Sequence, residues 1–131
     1  MGTILKILVV DDMKSMRLIL VNILKALGHE VFEAENGETA ITKYLEVKPD
    51  LVTLDITMSG MDGLEVLRRI MIMNIDAKII MVSAAAERDK IVRALQYGAM
   101  DFILKPIHLK RIMAALEKIE EAIEEMITVI S

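Results

Sequence analysis

No cysteine occurs among the 131 residues, which excludes a disulfide framework, a thiolate zinc site and a redox thiol. There is no basic cluster either. The 16 Lys and Arg are scattered among 20 Asp and Glu, for a formal charge of −4, so this stretch has no patch to neutralise a nucleic-acid backbone. Any DNA contact would need another domain. No apolar run approaches the roughly 18 residues needed to cross a bilayer, and the N-terminus lacks the basic start and small-residue cleavage site of a signal peptide. These absences predict a soluble, cytoplasmic protein without membrane insertion. Amides are scarce, with one Gln and three Asn, a weak lean toward a heat-tolerant source that eleven methionines oppose. After the first apolar run stands Met13-Lys14-Ser15 and no Gly-rich loop, which excludes a P-loop or dinucleotide-binding turn.

What is present is an alternation of short apolar runs and helical stripes. With 54% apolar residues, the chain can build one core and is too short for two ordinary domains. Ile4 to Val10 and Leu51 to Leu54 are nearly continuous in apolar character, as strands buried on both faces should be. Met16, Ile19, Leu20, Ile23, Leu24 and Leu27 lie at helical spacing before Gly28, predicting a first helix over 14–27. Residues 30–34 follow as a strand, then an Asn36-Gly37 turn and a helix over 38–48 with Ala40, Ile41, Tyr44 and Leu45 inward. The third strand ends at Asp55, and a Gly60 and Gly63 loop leads to a helix over 64–73. A strand over 78–82, a helix over 87–97 closed by Gly98, a strand over 101–104 and a last helix from His108 complete the pattern. Five βα units predict one parallel sheet covered on both faces, with right-handed crossovers.

The acidic residues fall where such sheets bind ligands, at the carboxyl ends of strands. Asp11 and Asp12 end the first strand and Asp55 the third. Three converging carboxylates would raise one another's pKa unless a cation joins them, and hard oxygen donors without Cys or a nearby His select Mg2+. One oxygen of Asp55 would stay free to attack phosphorus. Lys105 at the fifth strand's end would supply a counter-charge, and Ser83 at the fourth strand's end a hydrogen-bond donor, to the phosphoryl oxygens. Taken singly, each residue has a plainer role: Asp12 could cap the first helix, Pro106 could open the last, and His108 reads as a surface residue. Met71, Met73, Met81, Met113 and Met126 read as core or gap-filling side chains.

The acidic pair, the segment Leu54-Asp55-Ile56-Thr57-Met58-Ser59-Gly60-Met61-Asp62-Gly63, Val82-Ser83-Ala84 and Phe102-Ile103-Leu104-Lys105-Pro106 resemble the receiver domain of two-component response regulators, of the single-domain chemotaxis type. The match spans about residues 5–120. It implies a flavodoxin-like (βα)5 three-layer sandwich, and the strand order 2-1-3-4-5 comes from the resemblance, not from the spacing. It further implies that Asp55 accepts a phosphoryl group from the phosphohistidine of a histidine kinase or phosphotransfer protein. The backbone carbonyl of Thr57 would complete the Mg2+ shell, and Lys105-Pro106 would be a cis peptide. Ser83 and Phe102 match the switch pair, through which the face formed by the fourth helix, fifth strand and fifth helix signals to a downstream protein. Departures from the family pattern are Ser59, where many members have proline, expected to loosen its loop, and Phe102 in place of the commoner tyrosine. Thr57 and Ala85 stand where the family tunes water access. Neither is an acid or amide, so a phospho-Asp55 lasting longer than a few seconds is expected.

The last helix carries a heptad seam: Leu109, Ile112, Leu116, Ile119, Ile123, Met126 and Ile130 are spaced 3, 4, 3, 4, 3 and 4 apart. This divides the chain into a receiver domain over 1–120 and a helical extension over 121–131. The extension either folds back or frays, pairs with a second copy, or leads into an output domain of a larger regulator; its glutamates would oppose a parallel homodimer. On the first helix, Leu18 and Val21 are expected to project outward beside Arg17, Asn22 and Lys25 as a kinase-docking patch. Other classes fit less well. A Mg2+-dependent aspartyl-nucleophile phosphatase wants a second Asp at position 57, where Thr57 stands, so the chain reads as a signalling domain and not as an enzyme.

Overall fold

The computed structural model of the protein describes residues 3–130, without the side chain of Ala85. Strand and helix alternate along the chain. They run β1 (Lys6–Val10), α1 (Lys14–Ala26), β2 (Glu30–Ala34), α2 (Gly37–Val47), β3 (Leu51–Asp55), α3 (Gly63–Met73), β4 (Ile79–Ser83), a 3-10 turn (Ala85–Glu87), α4 (Arg88–Tyr97), β5 (Asp101–Leu104) and α5 (Leu109–Ile130). All strand pairs are parallel and the sheet order is β2-β1-β3-β4-β5, as the resemblance implies. In β3, Leu51 faces α1 and α5, whereas Val52 and Leu54 face α2, α3 and α4. Side chains alternate across a strand, so a central strand feeding two cores is nearly continuous in apolar character, with the buried Thr53 the one polar side chain before Asp55.

The ends of the elements follow local chemistry. Asn36 caps α2 by accepting from the Thr39 amide at 2.8 Å, and Asp62 caps α3 by accepting from the Glu65 amide at 3.0 Å. Gly98 ends α4 with φ +114°, a left-handed conformation that favours glycine. Asp12 does not cap α1: the N-cap is Met13, which makes no side-chain capping bond.

Three expectations about buried faces are corrected. In α1, Val21 is buried at 2% exposure while Ile19 is 46% exposed, so Val21 belongs to the core and not to a docking patch. The cause is Arg17. Its guanidinium turns inward to the Asp11 carbonyl and Glu33, and that rotation selects the stripe Leu20, Val21 and Leu24. In α2, Leu45 is exposed, lining a shallow groove with Lys48, Pro49 and Met73 between the ends of α2 and α3. Of the methionines expected inside, Met81 is fully buried and Met71 packs against the core, but Met73, Met113 and Met126 are exposed.

The last helix is continuous over 22 residues, about 33 Å at 1.5 Å per residue, and neither folds back nor breaks before Ile130. Its seam divides in two. Ile112, Leu116 and Ile119 are buried against the sheet and Ile123 packs at its edge, whereas Met126 and Ile130 are exposed. Leu109 is exposed as well. Asp101, at the start of β5, anchors this helix by accepting from Arg111 at 2.8 and 3.1 Å, with Lys118 at 3.5 Å. Burial alone would raise the Asp101 pKa, but the Arg111 hydrogen bonds, the Phe102 amide and the charges of Arg111 and Lys118 outweigh it and hold it below the ordinary value. Among the described residues, no helix is long and apolar enough to cross a membrane.

Candidate functional site

At the carboxyl end of the sheet, β1 delivers Asp11 and Asp12, β3 Asp55, β4 Ser83 and the segment after β5 Lys105. The register explains the convergence: Asp55 pairs with Val82, and the ladder continues through the Lys105 amide, which donates to the Ser83 carbonyl at 2.9 Å. Asp11, Asp12 and Asp55 each present a carboxylate oxygen, and these three atoms lie within 4.8 Å of one another. Such a set fits a small divalent cation, since every donor is a hard oxygen and one of the three residues is exposed enough to exchange water. The Lys105 ammonium lies 3.4 Å from Asp55 Oδ2 and 3.6 Å from Asp11 Oδ2.

Electrostatically the site is poised against its own charge. Burial, followed by the neighbouring charge of Asp11, pushes the Asp55 pKa from 3.8 up to about 6, with Lys105 pulling the other way. One ammonium does not balance three carboxylates. A divalent cation would invert that logic by favouring the ionised form of every ligand.

The surrounding backbone is fixed by contacts that sequence did not disclose. Asp11 Oδ1 accepts from the Met13 amide at 2.9 Å, while Arg17 Nη1 donates to the Asp11 carbonyl at 2.7 Å and its Nε to Glu33 Oε1 at 2.9 Å. Arg17, expected on an exposed patch, is thus a brace for the loop that carries Asp11 and Asp12; its side chain is only 11% exposed. The Ser59 amide donates to Asp12 Oδ2 at 3.0 Å, so this residue ties its loop to the acidic pair. A proline there has no amide hydrogen to give. That corrects the expectation of a loosened loop. Gly60 takes φ +74° in the same loop. Gly63 opens α3 so close to β3 that a Cβ would stand 2.1 Å from the Asp55 carbonyl oxygen.

Thr57 is exposed, and its hydroxyl donates to Glu87 Oε2, a residue the sequence did not single out. The other Glu87 oxygen accepts from the Ala84 amide at 3.1 Å. No acid stands at position 57, yet the fold brings one to it; the side chain of Ala85 lies outside the described residues. The Ser83 hydroxyl is fully buried and has no hydrogen-bond partner among the described residues. Phe102 is partly buried and lines a shallow apolar groove of about 290 Å³ with Arg88, Ile91, Val92, Leu95 and Leu104. The Lys105-Pro106 peptide is cis, as the resemblance implies, and His108 is exposed.

Residues 7–117 match the family model of the response regulator receiver domain. The chain is 53% identical over 115 residues to the chemotaxis protein CheY of Listeria monocytogenes, covering 87% of this chain and 97% of that protein. Among solved structures, the complex of CheX and CheY with BeF3 and Mg2+ from Borrelia burgdorferi aligns with TM-score 0.82 at 33% identity, covering 87% of each chain. NtrX of Brucella abortus aligns with TM-score 0.91 at 30% identity, over 98% of this chain and 30% of the NtrX chain. Parallel order, converging carboxylates and these likenesses lead to one conclusion: the chain belongs to the response regulator receiver domain family, the CheY-like phosphoacceptor domains of two-component signalling.

Proposed function

We propose that Asp55 is the phosphoacceptor and that the phosphohistidine of a histidine kinase or phosphotransfer protein is the donor. The observation that carries this reading is the gathering of Asp11, Asp12 and Asp55 within 4.8 Å, with the Lys105 ammonium against two of them. An oxygen of Asp55 attacks phosphorus; the new O–P bond forms as the P–N bond to imidazole breaks, and the imidazole takes up a proton as it leaves. Mg2+, held by the carboxylates of Asp11, Asp12 and Asp55 and the backbone carbonyl of Thr57, would neutralise charge on the transferring group. Lys105 offers its ammonium to the phosphoryl oxygens, and Ser83 gains in the product a partner that it has nowhere among the described residues beforehand. The switch runs through Ser83 and Phe102 to the α4-β5-α5 face, whose apolar groove a downstream protein reads. Catalysis is confined to the domain's own phosphorylation and dephosphorylation.

The test is incubation with Mg2+ and acetyl phosphate followed by intact-mass measurement. One added phosphoryl group on the wild type, lost in D55N and on chelation, is expected. Equal labelling of D55N would refute the assignment.

We further propose that residues 1–120 form the receiver unit and 121–131 an extension that pairs with a second copy or continues as a linker. The exposed Met126, Ile127, Val129 and Ile130 favour this, as does the alignment with NtrX over 98% of the chain against 87% with the Borrelia CheY. Light scattering with and without Mg2+ and beryllium fluoride tests the pairing. A monomer in both states would leave only the linker.

A further inference from the structure

Glu87 belongs to none of the roles above, yet its carboxylate binds both loops that flank Asp55. Its Oε2 accepts from the Thr57 hydroxyl, two residues beyond Asp55, and its Oε1 from the Ala84 amide, one residue beyond Ser83. The side chain is only 15% exposed, and the cation beside it, Lys90, stands at 4.0 Å with 46% of its side chain exposed. Its charge is therefore held chiefly by those two hydrogen bonds. Meanwhile the neighbouring Ser83 hydroxyl is buried without a hydrogen-bond partner among the described residues. The segment Ser83-Ala84 thus sits where Glu87 is satisfied and Ser83 is not.

We propose that Glu87 is an intramolecular latch: its carboxylate occupies donors on the β3–α3 and β4–α4 loops in the unphosphorylated domain, and activation requires it to release them. The inference rests on Asp55 being the phosphoacceptor. An acyl phosphate there carries about 1.5 to 2 negative charges in place of the single charge of the Asp55 carboxylate, and it holds them further out, between the same two loops. Glu87 and the phosphoryl group then repel one another and compete for neighbouring donors. Movement of Ser83 toward the phosphoryl oxygens stretches the Ala84 bond, because Ala84 follows it directly. The reach of Glu87 back to Ala84 is also half of a capping box, and a cap with no other role would affect stability alone.

The two roles separate in a titration of 15N-labelled protein with beryllium fluoride at fixed Mg2+, following the Thr57, Ser83 and Ala84 amides in wild type, E87A, E87Q and D55N. A latch predicts half-saturation of E87A at about tenfold lower beryllium fluoride, the equivalent of one charge-assisted hydrogen bond released. E87Q, which keeps the shape without the charge, falls between. The free E87A amides also lie part of the way toward the saturated wild-type positions. Half-saturation unchanged or raised in both variants, with a lowered melting temperature in E87A, would overturn the latch and leave a cap. If E87A does not fold, E87Q decides alone. A wild type that ignores beryllium fluoride, or a D55N that responds like it, would overturn the phosphoacceptor reading and the latch together.

Discussion

Replacing Asp55 with Asn should make the metal-free protein more stable at neutral pH, although it removes the residue on which the site is centred. Burial and the charge of Asp11 raise the folded-state pKa from 3.8 to about 6, so the folded protein disfavours the ionised carboxylate. The sign follows from linkage. A carboxyl group with a raised folded pKa favours folding fully below its unfolded pKa, and that advantage disappears as pH rises through the folded value. Above about pH 6 the ionised Asp55 is therefore a net cost. Each pKa unit corresponds to about 1.4 kcal/mol, which gives a ceiling of about 3 kcal/mol. Asp12 and Lys105 are partly exposed, so water screens the site, and about 1–2 kcal/mol is the expected gain. For a chain of 131 residues this raises Tm by about 4–8 °C. The assay is thermal unfolding followed by circular dichroism in EDTA from pH 4 to 8. The gap between D55N and wild type should open between pH 4 and 6 and hold above it, and Mg2+ should close it by stabilising the wild type alone. A D55N protein less stable than wild type at pH 7.5 without metal, or a gap independent of pH, would refute the electrostatic reasoning.

Gly63→Ala puts a Cβ 2.1 Å from the Asp55 carbonyl oxygen and 2.8 Å from Ile56 Cα. Backbone must move, and urea unfolding should show a loss of about 2–3 kcal/mol together with weakened beryllium fluoride binding. Arg17→Met should retain the fold but raise the Mg2+ midpoint several-fold in a thermal-shift titration, because the Asp11 carbonyl loses its brace; an unchanged midpoint would return Arg17 to a purely structural role. Asp101→Asn should cost about 1–2 kcal/mol by weakening the tie between β5 and α5, the partial exposure of Arg111 and Lys118 moderating the loss. Because the folded pKa of Asp101 lies below 3.8, its contribution is present above that value and lost as pH falls through the folded pKa. Denaturation by urea at pH 7 and in acid should therefore show the difference from wild type shrinking in acid.

The sequence by itself determined the order of elements, the parallel sheet and the placement of Asp11, Asp12, Asp55, Ser83 and Lys105 at strand ends. These are local and periodic signals: a strand feeding two cores is apolar along nearly its whole length, and residues just past its end face the ligand side. The continuity of the last helix it left open between a tail that folds back or frays and one unbroken helix, although the heptad stripe carries no glycine or proline. Only the tertiary structure decided which face of α1 is buried, because Arg17 reaches back to Asp11 and across to Glu33, partners on other segments of the chain. It alone showed that the Ser59 amide holds Asp12 across 47 positions and that Glu87 reaches Thr57 across 30. Such pairs have no period. They arise where loops from different strands meet, and one chain carries no local signal of which charged side chain will turn inward when they do.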